Sequence, residues 1–158
     1  MTNAATQPIA DGVSRLVRRV SLGGAYVLLT FEHPQVAKAA AGQFAMIQPE
    51  KSGALILRRP FSIMDTDGAT DQFTVFVKAV GPGSRAVFDL QEGENARVLG
   101  PLGNGFSLPT ESERLFLVGG GYGVAPFALL SRALKTSGSS FHLFYGGRSA
   151  TELPLVAD

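Results

Sequence analysis

From residue 13 to residue 100 the apolar positions fall in short runs broken by turn residues, a pattern that predicts strands. VSRLVRRV (13–20) and AYVLLTFE (25–32) flank Gly23-Gly24, a hairpin signal. GQFAMIQ (42–48), ALILRRPFSIM (54–64) and DQFTVFVKAV (71–80) follow, the last two joined by the polar turn DTDGATD. Alternation is clearest at 73–79, where Phe73, Val75, Val77 and Ala79 share a face. Beyond Gly81-Pro82-Gly83-Ser84, residues 85–90 predict a short helix with Ser84 as its N-cap. NARVLG (95–100) returns as a strand. Strands at this spacing predict a closed antiparallel barrel.

The pattern changes after the turn-rich stretch 100–113. Residues 115–118 are an unbroken apolar run, which predicts a parallel strand covered on both faces. A glycine loop and then a helix starting near Gly123 come next, with Pro126 in the first turn. Phe127, Leu130 and Leu134 lie on one stripe, and Gly138 is placed to end the helix. Residues 140–147 form a second apolar strand, completing a βαβ unit. Two strands and one helix are too few for an independent doubly wound domain. Either this unit packs onto the barrel as a stub, or the chain is a piece of a longer protein. The second is expected, with a barrel domain at 8–103 and an incomplete α/β domain at 112–158.

Composition narrows the function. The 158 residues are 45% hydrophobic and 17% charged, enough apolar content for a packed core. The formal net charge of +1 gives no electrostatic reason to bind nucleic acid or an anionic membrane. There is no cysteine, so this chain supplies no disulfide, zinc thiolate or iron–sulfur ligand. With no basic, apolar leader at residues 1–13 and no run of about 20 apolar residues, a soluble cytoplasmic protein is expected.

Three motifs carry candidate chemistry. In LRRPFSIMD (57–65), an arginine at a strand end offers a fork of donors for phosphate oxygens. Phe61 offers a face for a planar ring and Ser62 a small hydroxyl. Residue types alone leave this reading level with an edge strand bearing solvated arginines and a bulge-forming proline. In AVGPGSRAVFDL (79–90), Gly81 and Gly83 permit a sharp turn, and free amides at the following helix start suit a phosphate. In VGGGYGVAPF (118–127), a glycine loop joins strand to helix, where α/β folds bind dinucleotides. It departs from the G-x-G-x-x-G fingerprint, since Val124 stands at the last position. His33 and His142 lack a partner at metal spacing, and Arg15, Arg18 and Arg19 read as a solvated strand face. No acid–base or nucleophilic machinery is visible, so no catalytic residue and no metal ligand is assigned.

Taken in order, LRRPFSI, VKAVGPGSR, GPLGNGF, LVGGGYGVAPF and FYGGRS resemble the ferredoxin-reductase-like flavoproteins. Within them, GPLGNGF is most similar to the electron-transfer subunits of two-component dihydroorotate dehydrogenases, enzymes of pyrimidine biosynthesis. The resemblance implies a mostly β protein: a six-stranded antiparallel Greek-key barrel that binds FAD, followed by the first part of an α/β nucleotide domain. It implies that Arg59 meets the FAD phosphates, that Phe61, next to Pro60, packs on the flavin ring, and that Ser62 approaches its N5 edge. Phe76, Val77 and Lys78 would lie along the cofactor, and Gly83 and Ser84 would form the pyrophosphate turn. Gly119, Gly120, Gly121 and Gly123 would border an NAD site, at best partial here. The implied partner is the catalytic dihydroorotate dehydrogenase subunit, in a heterotetramer. The family's four-cysteine [2Fe–2S] segment has no counterpart in these 158 residues. Two alternatives stay open: a stand-alone NAD(P)H–flavin reductase domain or related electron-bifurcating subunit, and a non-enzymatic barrel that binds a nucleotide or a protein.

Overall fold

The computed structural model describes residues 8–51, 57–109 and 114–156. Six strands, β1 (Ala10–Ser21), β2 (Tyr26–Glu32), β3 (Phe44–Pro49), β4 (Arg59–Asp67), β5 (Gln72–Lys78) and β6 (Asn95–Leu102), close into a barrel. Their order is β1-β2-β5-β4-β3-β6, every pair antiparallel. β6 returning beside β3 after the β3-β4-β5 meander makes the path a Greek key. Inward positions form the core: Leu16, Val27, Leu29, Phe31, Ile47, Ile63, Phe73, Val75, Val77 and Val98. Each such side chain contributes about 1.5–3 kcal/mol by leaving water. Closure also removes the sheet edges that an open six-stranded sheet would expose.

Several elements differ from their sequence reading. β1 is longer than 13–20 and carries a bulge between Leu16 and Arg18, which re-aims the following arginines. Arg19 is consequently not on a solvated face. Its guanidinium stands 5.4 Å from the Phe88 ring and donates to the Phe88 carbonyl at 3.4 Å. The strand expected at 54–64 is described only from residue 57, since 52–56 lie outside the described residues, and β4 begins at Arg59. Arg59 therefore opens β4, with Arg58 just before it.

That start shapes the molecule. β3 pairs with β4 from Arg59 to Ser62, whereas β5 pairs with β4 only from Ile63 onward. Residues 59–62 thus have a strand neighbour on one side and an opening on the other. Pro60, with no N–H to offer, is tolerated in this half-paired stretch. The helix α1 spans Pro82–Phe88, with Gly81 as its N-cap and Pro82 at its first position. Its Val87 is fully buried in the barrel core.

The second unit comprises β7 (Leu115–Gly120), a 3-10 turn at Gly121–Val124, α2 (Ala125–Thr136) and β8 (Phe141–Gly146). β7 and β8 are parallel, in register from Leu115↔Phe141 to Gly120↔Gly146. α2 lays Leu130 and Leu134 over Leu117 and pushes Leu129 into the barrel core. Gly138, at φ +74, ends the helix, and the Ser139 N–H bonds back to the Leu134 carbonyl at 2.9 Å. The expectation that 115–118 is covered on both faces does not hold among the described residues, because α2 covers one side and leaves Phe116 and Val118 exposed. No helix among the described residues is long and apolar enough to cross a membrane.

Candidate functional site

Where β4 and β5 part, a cavity of about 420 Å³ opens. β4 supplies Arg59, Pro60, Phe61 and Ser62, and β5 supplies Phe76 and Lys78. The turn into α1 supplies Val80 to Ser84, and Tyr122 and Ala125 close the side toward the second unit. Two motifs some twenty residues apart in sequence therefore line one space.

Arg59 and Gly83 touch. A Cβ on Gly83 would run into the Arg59 Nε and stand 3.0 Å from its Cγ and Cδ, so only glycine lets the arginine lie across the turn. The two arginines of the motif have separate fates. Arg58 Nη2 donates to both carboxylate oxygens of Asp11, at 2.7 and 2.9 Å. The half-buried Arg59 guanidinium has no hydrogen-bonding or ionic partner among the described residues. A half-buried guanidinium without a counter-charge is suited to an anionic ligand.

Ser84 works differently from its sequence reading. It is the third residue of α1, not the N-cap. Its hydroxyl accepts from the N–H groups of Val80 at 2.9 Å and Gly81 at 3.0 Å, and donates to the Gly81 carbonyl at 3.1 Å. The side chain thus fixes the turn. What the turn can offer a ligand is the backbone N–H of Gly83 and Ser84, which a helix start leaves without intrahelical acceptors.

The remaining walls are aromatic. Phe61 lines the cavity and leans on the barrel core. Phe76 is buried and stacks on Tyr26 with ring centroids 5.5 Å apart. Strand alternation turns Val77 the other way, into the core, so only its backbone faces this side. The Lys78 ammonium lies 5.0 Å from the Tyr26 ring and 6.0 Å from the Tyr122 ring, and pairs with Glu152 at 3.1 Å. Ser62 lines the cavity with its hydroxyl uncommitted among the described residues.

The glycine loop divides. Gly120 and Gly121 border an open groove of about 400 Å³, together with Gly146, Gly147, Arg148, Glu152, Lys78 and Tyr122. Gly119 is buried, and a Cβ there would meet the Val124 backbone at 3.0 Å, which makes it a packing position. Gly123 lines neither the cavity nor the groove. Lys78 and Tyr122 belong to both spaces and form the wall between them. Glu152 accepts from Arg148 Nη2 at 2.9 Å, Arg148 Nε at 3.3 Å and the Arg148 backbone N–H at 3.1 Å. Hydrogen bonds from the Arg148 side chain and backbone and from Lys78 hold its carboxyl down to about 2.

Sequence reasoning missed Tyr26, Tyr122 and Glu152. Tyr26 is opposite Lys78 in the β2–β5 ladder, a pairing that no local sequence feature announces. Glu152 announces itself only by standing four residues after Arg148. His33 is buried and His142 stacks on Phe116 at 5.6 Å. No cluster of potential metal ligands occurs among the described residues.

A Greek-key barrel with a crevice between two of its strands, followed by a parallel βα unit, is the ferredoxin-reductase-like fold. A structure of the NADH-dependent reduced ferredoxin–NADP oxidoreductase, described for flavin-based electron bifurcation, superposes with a TM-score of 0.79 at 29% identity, over 90% of this chain and 51% of that one. A ferredoxin reductase of carbazole 1,9a-dioxygenase superposes with a TM-score of 0.82 at 23% identity, over 93% and 45%. No family model matches the chain. In sequence, the chain is related to the electron transfer subunits of dihydroorotate dehydrogenase B (NAD(+)), as its motifs suggested. It is 38% identical to that of Lysinibacillus sphaericus over 112 residues, 70% of this chain and 44% of the relative. It is 36% identical to that of Listeria monocytogenes over 119 residues, 74% and 46%. The chain thus spans less than half the length of these relatives.

Proposed function

We propose that the chain binds FAD in the β4–β5 cavity and carries electrons between a nicotinamide nucleotide and a catalytic subunit that oxidises dihydroorotate. One observation supports this above the rest: the unpaired Arg59 lies across Gly83 at the mouth of a cavity with aromatic walls. A ligand that satisfies both ends carries phosphate and a flat ring, as FAD does. Arg59 and the amides of Gly83 and Ser84 hold the phosphates. Phe61 and Phe76 pack the ring, and Ser62 presents its hydroxyl to the ring edge. Bound FAD supplies the redox chemistry, and the chain positions it and shapes its electrostatics. No acid or base is required of the protein. The groove at Gly120 and Gly121 takes part of the nicotinamide nucleotide. The electron-transfer partner is inferred from the named relatives, and any thiolate-held cluster in the relay needs cysteines that this chain does not carry.

A second reading, a reductase or electron-bifurcating component with no dihydroorotate partner, is favoured by the 29% identical structure that matches 90% of this chain. Absorbance separates the two. Protein reconstituted with FAD and freed of unbound flavin shows bands at about 375 and 450 nm. Bleaching by dihydroorotate only when the catalytic subunit is added supports the first reading. Bleaching by NADH with no transfer to or from that subunit supports the second, and an absence of flavin bands removes both. Ser62→Ala should slow flavin reduction while leaving FAD content near that of the parent.

A further inference from the structure

Lys78 and Arg148 are the two cations of the groove beside the glycine loop, and one carboxylate, Glu152, engages both. The contacts exceed those of an ordinary surface pair. Glu152 Oε1 accepts from Lys78 Nζ at 3.1 Å and from Arg148 Nη2 at 2.9 Å, while Oε2 accepts from Arg148 Nε and the Arg148 backbone N–H. The Glu152 and Lys78 side chains are 19% and 21% exposed, while the Arg148 side chain is 89% exposed, so the carboxylate sits low in an open groove. Around these charges lie four glycines in two pairs, Gly120-Gly121 and Gly146-Gly147, at the ends of parallel strands. Gly120, Gly121 and Gly146 leave the backbone open to a ligand, whereas Gly147 packs against Glu152 and Leu153.

We propose that Glu152 is a built-in competitor for this groove: its carboxylate occupies the place of an anionic group of a dinucleotide, and the ligand's pyrophosphate displaces it from Lys78 and Arg148. The proposal rests on reading the groove as the nicotinamide-nucleotide site. The chemistry is symmetrical, since a carboxylate and a phosphate both take two donors from a guanidinium and one from an ammonium. Glu152 stays ionised at any working pH, because its own partners hold its carboxyl far below the ordinary range. The competitor sets affinity by charge. A ligand with fewer anionic groups fails to displace it, and one with a pyrophosphate succeeds at the expense of the Glu152 contacts. Lys78 also lines the neighbouring cavity, so exchanging its carboxylate partner for a pyrophosphate changes the charge presented to the flavin site.

The test uses the full chain loaded with FAD, and ADP-ribose as the probe, because it carries the pyrophosphate without a redox-active ring. Binding is followed by calorimetry at two salt concentrations, with adenosine as the uncharged comparison. FAD content is read from each sample near 450 nm (about, as set by the chromophore), which keeps the flavin reading separate. Glu152→Gln preserves size while removing the charge and one of the two acceptor oxygens. It should tighten ADP-ribose binding by about three- to tenfold, with the gain shrinking at high salt, and leave adenosine unaffected. Adding Lys78→Gln to Glu152→Gln should cancel the gain. If the parent binds ADP-ribose and Glu152→Gln binds it no tighter, the competitor role is overturned while the nucleotide site stands. If neither protein binds it, the groove is not a nucleotide site and the proposal falls with that reading.

Discussion

Gly83 is the position where one missing Cβ decides a contact. A methyl there meets the side chain of Arg59, which is flexible and yields, so the fold is not threatened. Alanine also favours the helical backbone over glycine by up to about 1 kcal/mol. Gly83→Ala should therefore leave the apo-protein melting temperature unchanged or raised, yet weaken FAD binding by about tenfold through displacement of Arg59. Because the two residues act through one contact, Arg59→Ala/Gly83→Ala should bind no worse than Arg59→Ala alone. A calorimetric titration of the four proteins checks this. His33 gives a prediction of a different kind. It is buried, its Nδ1 accepts the Val36 N–H at 3.3 Å, and burial pushes its imidazole below the ordinary 6.5. Below about pH 6.5 the unfolded chain takes up a proton that the folded chain resists, so stability falls with pH in that window. His33→Asn keeps an acceptor and removes the titration. The loss in urea midpoint between pH 7.5 and 5.5 should be smaller in this variant than in the parent.

Most strands are legible because period-two alternation is a direct image of a barrel wall, as β5 shows with Phe73, Val75 and Val77 in the core. The start of α1 is not, because Ser84 looks like a cap while Pro82 already occupies the first helical position, and the serine serves from the third. The part of the site that depends on adjacency in sequence, Arg59 to Ser62, can be read from the chain. The part made by strand pairing and by the second unit, Tyr26, Tyr122 and Glu152, cannot, since nothing local links Tyr26 to Lys78 or Lys78 to Glu152. Leu129 shows the same limit. The helical stripe explains Leu130 and Leu134, but Leu129 points to the barrel, which only the packed structure reveals. Leu129→Ala should cost about 2–4 kcal/mol by emptying a place in a core shared by two elements. Urea unfolding followed by circular dichroism checks the loss, and an unchanged midpoint would mean that α2 adds little to the barrel.

Barrel and second unit are joined by α2, where Leu129 enters the core and Arg132 donates to the Thr66 carbonyl at 2.9 Å, and by the Lys78–Glu152 pair. Cavity and groove lie on the two sides of the Lys78–Tyr122 wall, an arrangement suited to placing a flavin beside a second nucleotide. The central claim concerns the cavity: it holds FAD, and Arg59 is its phosphate anchor. Titration of FAD into apo-protein, followed by quenching of flavin fluorescence, addresses both halves at once. The parent should bind one FAD per chain, and Arg59→Ala, folded by circular dichroism, should bind at least about tenfold more weakly. Equal affinity in the two proteins would remove the phosphate role of Arg59, and a parent that binds no FAD would contradict the flavin site itself.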